Sequence, residues 1–394
     1  MSPKDSFLIL TVPESHTQWS VSKFLFKLLC CIGLVEESER FLIYRITTVG
    51  FQLAIVFTSC SIWSSALVAY SVKSLKVLSG KLCSFLLALV VYFAMRRKRK
   101  RLTLTLRKLS AISSLFQRKK IAFFLLIICI MPTVYAISMA LTASHRWAAK
   151  FDAYGYEIKH PLAQVLLIVT KSILYEIVYP TLTNLITLIY CAVCQSCSVL
   201  VNNLTEDILR ISPRAFGPSK QIYILDRKAR IDDVLENIQD VFSLPAFFVV
   251  AANFTSCMTI IGWFLHIDLA NYHAHMFAQT VFLAINSFGC LTFLLWIASC
   301  VPIQMQKLKE AFYRKAHLRL ITYRDLGEPQ LKTELFQKPD FTFTGWDLIP
   351  FKRSTLVAVF GTLLSYTVLL VANSSPQDPN LGSPILSQIN ETNI

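Results

Sequence analysis

The sequence predicts an all-α membrane protein of seven transmembrane helices, with its N-terminus inside the cell and its C-terminus outside. Three observations carry this reading. The chain is 54% hydrophobic and only 16% charged, with a mean hydropathy of +0.51, whereas a soluble domain carries about 25% charged residues. The apolar residues gather into seven runs, each near the ~20 residues that cross a bilayer as a helix. Lys and Arg fall almost entirely in every second gap between those runs.

The first 40 residues do not read as a cleaved leader. The apolar run Phe24 to Leu34 contains Lys27, and Glu36, Glu37 and Glu39 follow where a cleavage site needs small residues. Residues 1–45 are therefore expected to form a cytosolic N-terminal segment. Spans are predicted near 46–71, 75–95, 121–142, 162–191, 241–266, 273–302 and 354–372. The first six make a bundle within 46–302, residues 303–353 form a cytosolic anchor, and residues 373–394 form an extracellular tail.

Orientation follows from charge. The segments assigned to the cytosol hold 32 Lys and Arg, including the run Arg96 to Arg101, and the segments assigned outside hold five. Cytosolic loops retain Lys and Arg preferentially, so this bias sets the topology. The net charge of +15 is accounted for by that bias and by anionic lipid headgroups. It does not point to nucleic acid, because the charges sit only between apolar runs. The cytosolic stretches Ile222 to Phe242 and Gln304 to Leu320 have helical patterning. On the outer tail, Asn390-Glu391-Thr392 is a glycosylation sequon, whereas Asn253-Phe254-Thr255 matches the pattern at membrane depth and reads as chance.

None of the 11 cysteines lies in a segment assigned outside, so no disulfide framework is expected. Cys191, Cys194 and Cys197 have CxxCxxC spacing but lack a fourth ligand nearby. Packing, or one palmitoylated thiol, explains them, and no metal is expected. No nucleophile–base set, phosphate loop or dinucleotide fingerprint is present, so neither enzyme activity nor a cofactor is expected.

Ionisable groups inside spans are costly and tend to face a polar cavity or one another. Lys81, Lys171 and Glu176 are such groups. Lys171 and Glu176 stand about 140° apart around a helix, which makes them poor partners, and a Glu176–Lys81 pair across helices fits better. Two readings stay open: a ligand cavity in the outer half of the bundle, or a structural ion pair. Lys171, Tyr175, Glu176, Trp263 and Gln279 are the candidate ligand-binding residues, each polar or amphipathic in an apolar span. Tyr175 and Tyr179 extend a polar aromatic stripe on the same span.

The C-terminal stretch resembles the signature of the arthropod gustatory receptors, within the insect gustatory and odorant chemoreceptor superfamily. Phe341-Thr342, Gly345, Arg353-Ser354, Gly361 and Tyr366 fall at the matching places. Ser365 replaces a threonine, and Ala372-Asn373 stand where that family carries Gln-Phe. The resemblance implies a plasma-membrane channel that is tetrameric, ligand-gated and non-selective among cations, opened by a small-molecule tastant. It implies a homotetramer, or a heteromer with related subunits, in which the last span lines a central pore. On that span Tyr366, Leu369, Leu370 and Asn373 share one helical face by spacing and are the candidate pore residues. A seven-helix receptor signalling through cytosolic partners, or a transporter, are the alternative readings.

The topology has a direct check. Asn390→Gln is expected to abolish a glycan-dependent mobility shift in a eukaryotic host, and a C-terminal tag is expected to be reachable on intact cells. A tag reached only after permeabilisation would overturn the assignment.

Overall fold

The computed structural model describes residues 20–36, 42–68, 72–110, 115–142, 150, 152–266, 274–323 and 341–374. The fold is all-α apart from one two-stranded hairpin. Its helices in chain order are α1 Ser20–Cys31, α2 Leu42–Val68, α3 Val72–Arg97, α4 Arg99–Ser110 and α5 Leu115–Thr142. Next come α6 Pro161–Glu176, a π-helical segment Ile177–Thr181 and α7 Leu182–Arg210. The remaining elements are α8 Pro218–His266, α9 Ala274–Ala298, α10 Cys300–Tyr323, strands β1 Thr344–Gly345 and β2 Ile349–Pro350, and α11 Arg353–Ser374.

Each predicted span coincides with a helix or a helix pair. Six helical stretches are long and apolar enough to cross a membrane among the described residues. The remaining predicted span lies within α3, which packs along α8 and buries Phe85, Ala88, Val91, Tyr92 and Met95. The helices run further than the apolar runs did. Helix α8 has 49 residues, about 73 Å at 1.5 Å per residue, against a hydrocarbon core of about 30 Å. It therefore continues beyond the membrane, as do α7 and α10, and these extensions pack together. Phe216 and Phe312 are buried there with ring centroids 5.2 Å apart.

On the other side of the balance, α2 and α5 present apolar faces outward. Leu53, Val56 and Phe57 on α2 and Leu126, Ile130 and Ile137 on α5 are exposed, as lipid-facing side chains must be. Asn253 is fully buried and its amide donates to the Val249 carbonyl at 2.9 Å, which takes that sequon out of reach of glycosylation. Asn390 lies outside the described residues, and so do the side chains of Lys81 and Asn373.

The basic run is not a free charged surface. Lys98 Nζ donates to Asp240 Oδ1 at 2.9 Å, Arg101 also donates to Asp240, and Arg99 pairs with Glu36 at 2.7 Å. The run thus ties the C-terminal end of α3 and the start of α4 to α8 and to the segment after α1. The hydrogen bond from Lys98, reinforced by Arg101, holds the Asp240 carboxyl below the usual carboxylate range.

The hairpin occupies the chain just before the last helix, and its construction explains the Phe-Thr-x-x-Gly pattern. Phe343 and Phe351 are fully buried against Tyr190 of α7, with centroids 5.7 Å and 6.2 Å away. Gln239 of α8 accepts from the Thr344 N–H at 3.1 Å and donates back to the Thr344 carbonyl at 3.0 Å. The Trp346 N–H donates to Ser243 Oγ at 2.9 Å. Trp346 and Asp347 turn the chain at φ 50° and 53°. At Gly345 an added Cβ would stand 3.0 Å from Phe351 Cζ and 3.3 Å from the Phe247 backbone, so any side chain there pushes the hairpin off α8.

Gly345→Ala is accordingly expected to lower thermal stability in detergent by about 1–3 kcal/mol, the usual cost of overpacking. Gly289→Ala, where nothing lies within 4 Å of the added carbon, should leave the melting curve unmoved. Equal melting of the two variants would refute the packing account.

Candidate ligand site

The fourth predicted span is not one helix. Tyr179 leaves helical backbone at φ −147°, ψ 123°, followed by Pro180, which has no N–H to donate. The stripe expected from Tyr175 to Tyr179 is broken here, because side chains follow helical spacing only while the backbone does. The span predicted at 162–191 is continuous, and Pro180 does not change that reading. Pro inside membrane helices is common enough that it does not by itself mark a break.

The break is held by hydroxyl groups. Tyr179 is buried and hydrogen-bonds Ser256 of α8. Ser256 and Ser84 of α3 lie 2.9 Å apart, oxygen to oxygen. Thr183 Oγ1 donates to the Pro180 carbonyl at 2.7 Å, and Thr187 Oγ1 to the Thr183 carbonyl at 2.8 Å. Thr183 thus serves a backbone carbonyl of the bend, while the side chains of Tyr179, Ser256 and Ser84 tie the bend to α8 and α3.

A small cavity opens beside the bend, between α5, α6, α7 and α9. One side is polar, with Glu176, Thr181, Asn184 and Asn286. The other is apolar, with Met131, Pro180, Phe282 and Leu283. Glu176 is only 8% exposed. Asn184 Nδ2 donates to Asn286 Oδ1, joining α7 to α9 at the cavity wall. Behind Phe282 stands Tyr135, with ring centroids 5.6 Å apart at 78°. A few polar groups at set positions among apolar walls is the kind of lining that small-molecule sites have.

The five residues picked from sequence separate in space. Glu176 lines the cavity. Gln279 is not among the lining residues and lies near the buried Tyr135. Tyr175 is half-buried and stacks on Phe85 of α3 at 6.1 Å and 15°. Lys171 is drawn away from the cavity: it donates to the Asp152 carbonyl and its ammonium sits 4.0 Å from the centre of the Tyr154 ring. Trp263 is buried on α8 and is not among the lining residues. Asn184, Asn286 and Thr181 went unselected. The rule that singled out Glu176, a costly polar group in an apolar span, applies to both asparagines as well.

No protein-family model and no curated protein sequence matches the chain. Solved structures do match. The insect olfactory receptor OR5 from Machilis hrabei superposes with a TM-score of 0.67, covering 89% of this chain and 97% of that one, at 15% sequence identity. The same receptor in complex with eugenol gives a TM-score of 0.64 over 90% and 98% of the two chains, at 13% identity. The chain has the insect olfactory receptor fold. Its all-α architecture of long apolar helices is the one these two structures share.

The hydroxyl cluster supplies a test of the scaffold. Tyr179→Phe removes a hydrogen-bond partner of the buried Ser256 and should cost about 1–3 kcal/mol in thermal stability, as read from unfolding of the purified protein. A loss smaller than that of an exposed Tyr156→Phe control would show that the cluster does not hold the bend.

Proposed function

We propose that the chain is a chemoreceptor of gustatory type: a plasma-membrane channel, non-selective among cations, that opens when a small molecule occupies the cavity beside the fourth-span bend. In this reading the N-terminus is cytosolic and the functional unit is a tetramer, of this chain alone or with related subunits. The last helix of each subunit lines a central pore.

The observation that carries the proposal is α11. It is apolar along its whole length, yet only 6% of its apolar window is buried within the chain. Leu356, Val359 and Leu363 face the bundle, the Tyr366 hydroxyl lies against Gly262 of α8, and Leu370 is half-buried on the same side. The opposite side carries Val357, Leu364, Val368 and Leu369, all exposed. The face picked by spacing is therefore split: Tyr366 and Leu370 turn inward and Leu369 outward, while Asn373 has no described side chain. Val368, left off that face, points outward. In the proposed tetramer the outward side meets the other subunits and the pore, and its lack of charge fits weak selection by a hydrophobic constriction.

The start of α11 is fixed while its outer length is free. The hairpin anchors it to α8, and the Arg353 guanidinium sits 4.7 Å from the Trp296 ring of α9. Further out, Phe288 of α9 stacks on Phe360 at 6.4 Å with planes 4° apart. Phe288 is two residues from Asn286 at the cavity wall. One helix thus touches both the site and the last helix, as ligand gating requires. The fold similarity to a receptor solved with eugenol supports binding of a small organic molecule in general, and gustatory use follows from the C-terminal resemblance.

The deciding measurement is whole-cell current from this chain expressed alone, against sugars, bitter compounds and acids. Glu176→Gln is expected to shift half-maximal concentration about tenfold, or 1.4 kcal/mol, with surface expression unchanged. Val368→Glu and Leu369→Glu are expected to alter conductance or ion preference. Currents indifferent to charge at both positions would remove α11 from the pore, and flux with fixed stoichiometry would instead favour a transporter.

A further inference from the structure

We propose that the outward face of α4 docks on anionic phospholipid, with Arg97 and Lys100 taking the headgroup phosphate and Leu104 entering the acyl-chain boundary. The proposal takes the spans within α3 and α5 to cross the bilayer and is independent of the channel reading.

Segment 96–120 carries eleven Lys and Arg and no Asp or Glu. Segment 196–240, assigned to the same side, carries six Lys and Arg against seven Asp and Glu. Topology does not call for this difference, because orientation responds to Lys and Arg while acids count for little. Attraction to an anionic surface does respond to net charge, and it acts on basic clusters directly beside a span. The fold brings acids from elsewhere to part of the run: Lys98 and Arg101 share Asp240, and Arg99 takes Glu36. Arg97 and Lys100 are exposed and have no acidic partner among the described residues.

Helix α4 packs on α7 and α8. Leu102, Thr103 and Thr105 are buried there, and Thr103 Oγ1 accepts from the Glu36 N–H at 3.0 Å. Lys100, Leu104 and Arg107 share another face at i, i+4 and i+7, and all three are exposed. Leu104 is 58% exposed in the middle of those cations. Charge alone would suit an acidic protein face or free phosphate. A leucine set among cations suits the headgroup boundary, where phosphates meet acyl chains. The position agrees. Helix α4 begins two residues after α3 ends, and the next apolar stretch opens at Lys119. A helix of 12 residues, about 18 Å long, thus lies between two crossings and is tethered near the bilayer surface by both.

The test titrates the purified full-length chain, in a neutral detergent at low salt, against phosphatidylserine labelled with a fluorophore on one acyl chain, and reads anisotropy. Unlabelled phosphatidylserine should displace the probe at a concentration at least about tenfold below phosphatidylcholine, glycerophosphoserine or polyglutamate, the last counted per carboxylate. Each cation near an anionic surface contributes about fivefold in affinity. The double variant Arg97→Gln with Lys100→Gln should therefore weaken phosphatidylserine binding at least about tenfold. Leu104→Gln keeps every charge and should weaken it about fivefold. Lys307→Gln with Arg314→Gln, an equal charge change at exposed positions on α10, should leave it unmoved. An equal loss from the α10 pair would overturn the proposal, because any surface cation would then serve. Equal displacement by phosphatidylcholine would overturn it as well. Equal displacement by glycerophosphoserine or polyglutamate would do the same and point to a soluble anion or an acidic protein. The displacement ranking on the unaltered chain decides the matter if a variant does not fold.

Discussion

Inside a bilayer a backbone amide or carbonyl that loses its helical partner has no water to turn to. The rest of this architecture depends on how the chain meets that constraint at one place, between Glu176 and Leu182. The helix could have run straight. Instead it breaks at Tyr179: the Thr183 hydroxyl donates to the Pro180 carbonyl, and the Tyr179 side chain is held by Ser256, itself bonded to Ser84. Broken helices are tolerated at membrane depth where the break is wrapped in protein or lines a cavity, and both conditions hold here. The bend turns Glu176, Thr181 and Asn184 toward α9, which is what makes a polar wall in an apolar bundle.

A second constraint acts at the start of the last helix. The hairpin before α11 is small, but each of its features is fixed by α7 or α8: Phe343 and Phe351 by Tyr190, Thr344 by Gln239, Trp346 by Ser243. The last helix therefore begins from a rigid base and continues with little cover from its own chain. Between the two regions runs α9, with Asn286 at the cavity, Phe288 on Phe360 and Trp296 under Arg353. Contacts of this kind make a physical connection; whether energy passes along them is a matter for measured coupling.

The fold was legible because a membrane enforces two simple rules. Apolar length announces a span, and Lys and Arg announce a side. Apolar length gave the spans, while the polar extensions at Ile222 to Phe242 and Gln304 to Leu320 escape a hydropathy window and were legible from helical patterning; packing such as Phe216 on Phe312 stabilises them. The site was legible only in part. Glu176 stands out in any apolar run. Lys171 stands out equally, but the loop residues Asp152 and Tyr154 lie nearer to it than the cavity does, and no spacing rule ranks a loop against a bundle. Asn184 and Asn286 lie 102 positions apart, and their pairing follows from the tertiary approach of α7 and α9. On α11, spacing placed Tyr366 and Leu369 together, whereas the bundle divides them; helical spacing fixes which residues share a face, not which way the face looks.

Helix α8 ties these regions together as one uninterrupted rod. Asp240, Gln239 and Ser243 engage α3, α4 and the hairpin near one level, while Ser256 and Gly262 meet Tyr179 and Tyr366 further along. Each residue of a helix turns it by about 100°. One residue added or removed between those levels would leave one set of contacts facing the wrong way. Side chains along the rod can therefore change type widely while the count between contact levels is held. A molecule under that rule drifts in letters and keeps its arithmetic, which fits a chain that superposes over 89% of its length on a receptor with which it shares 15% of its residues.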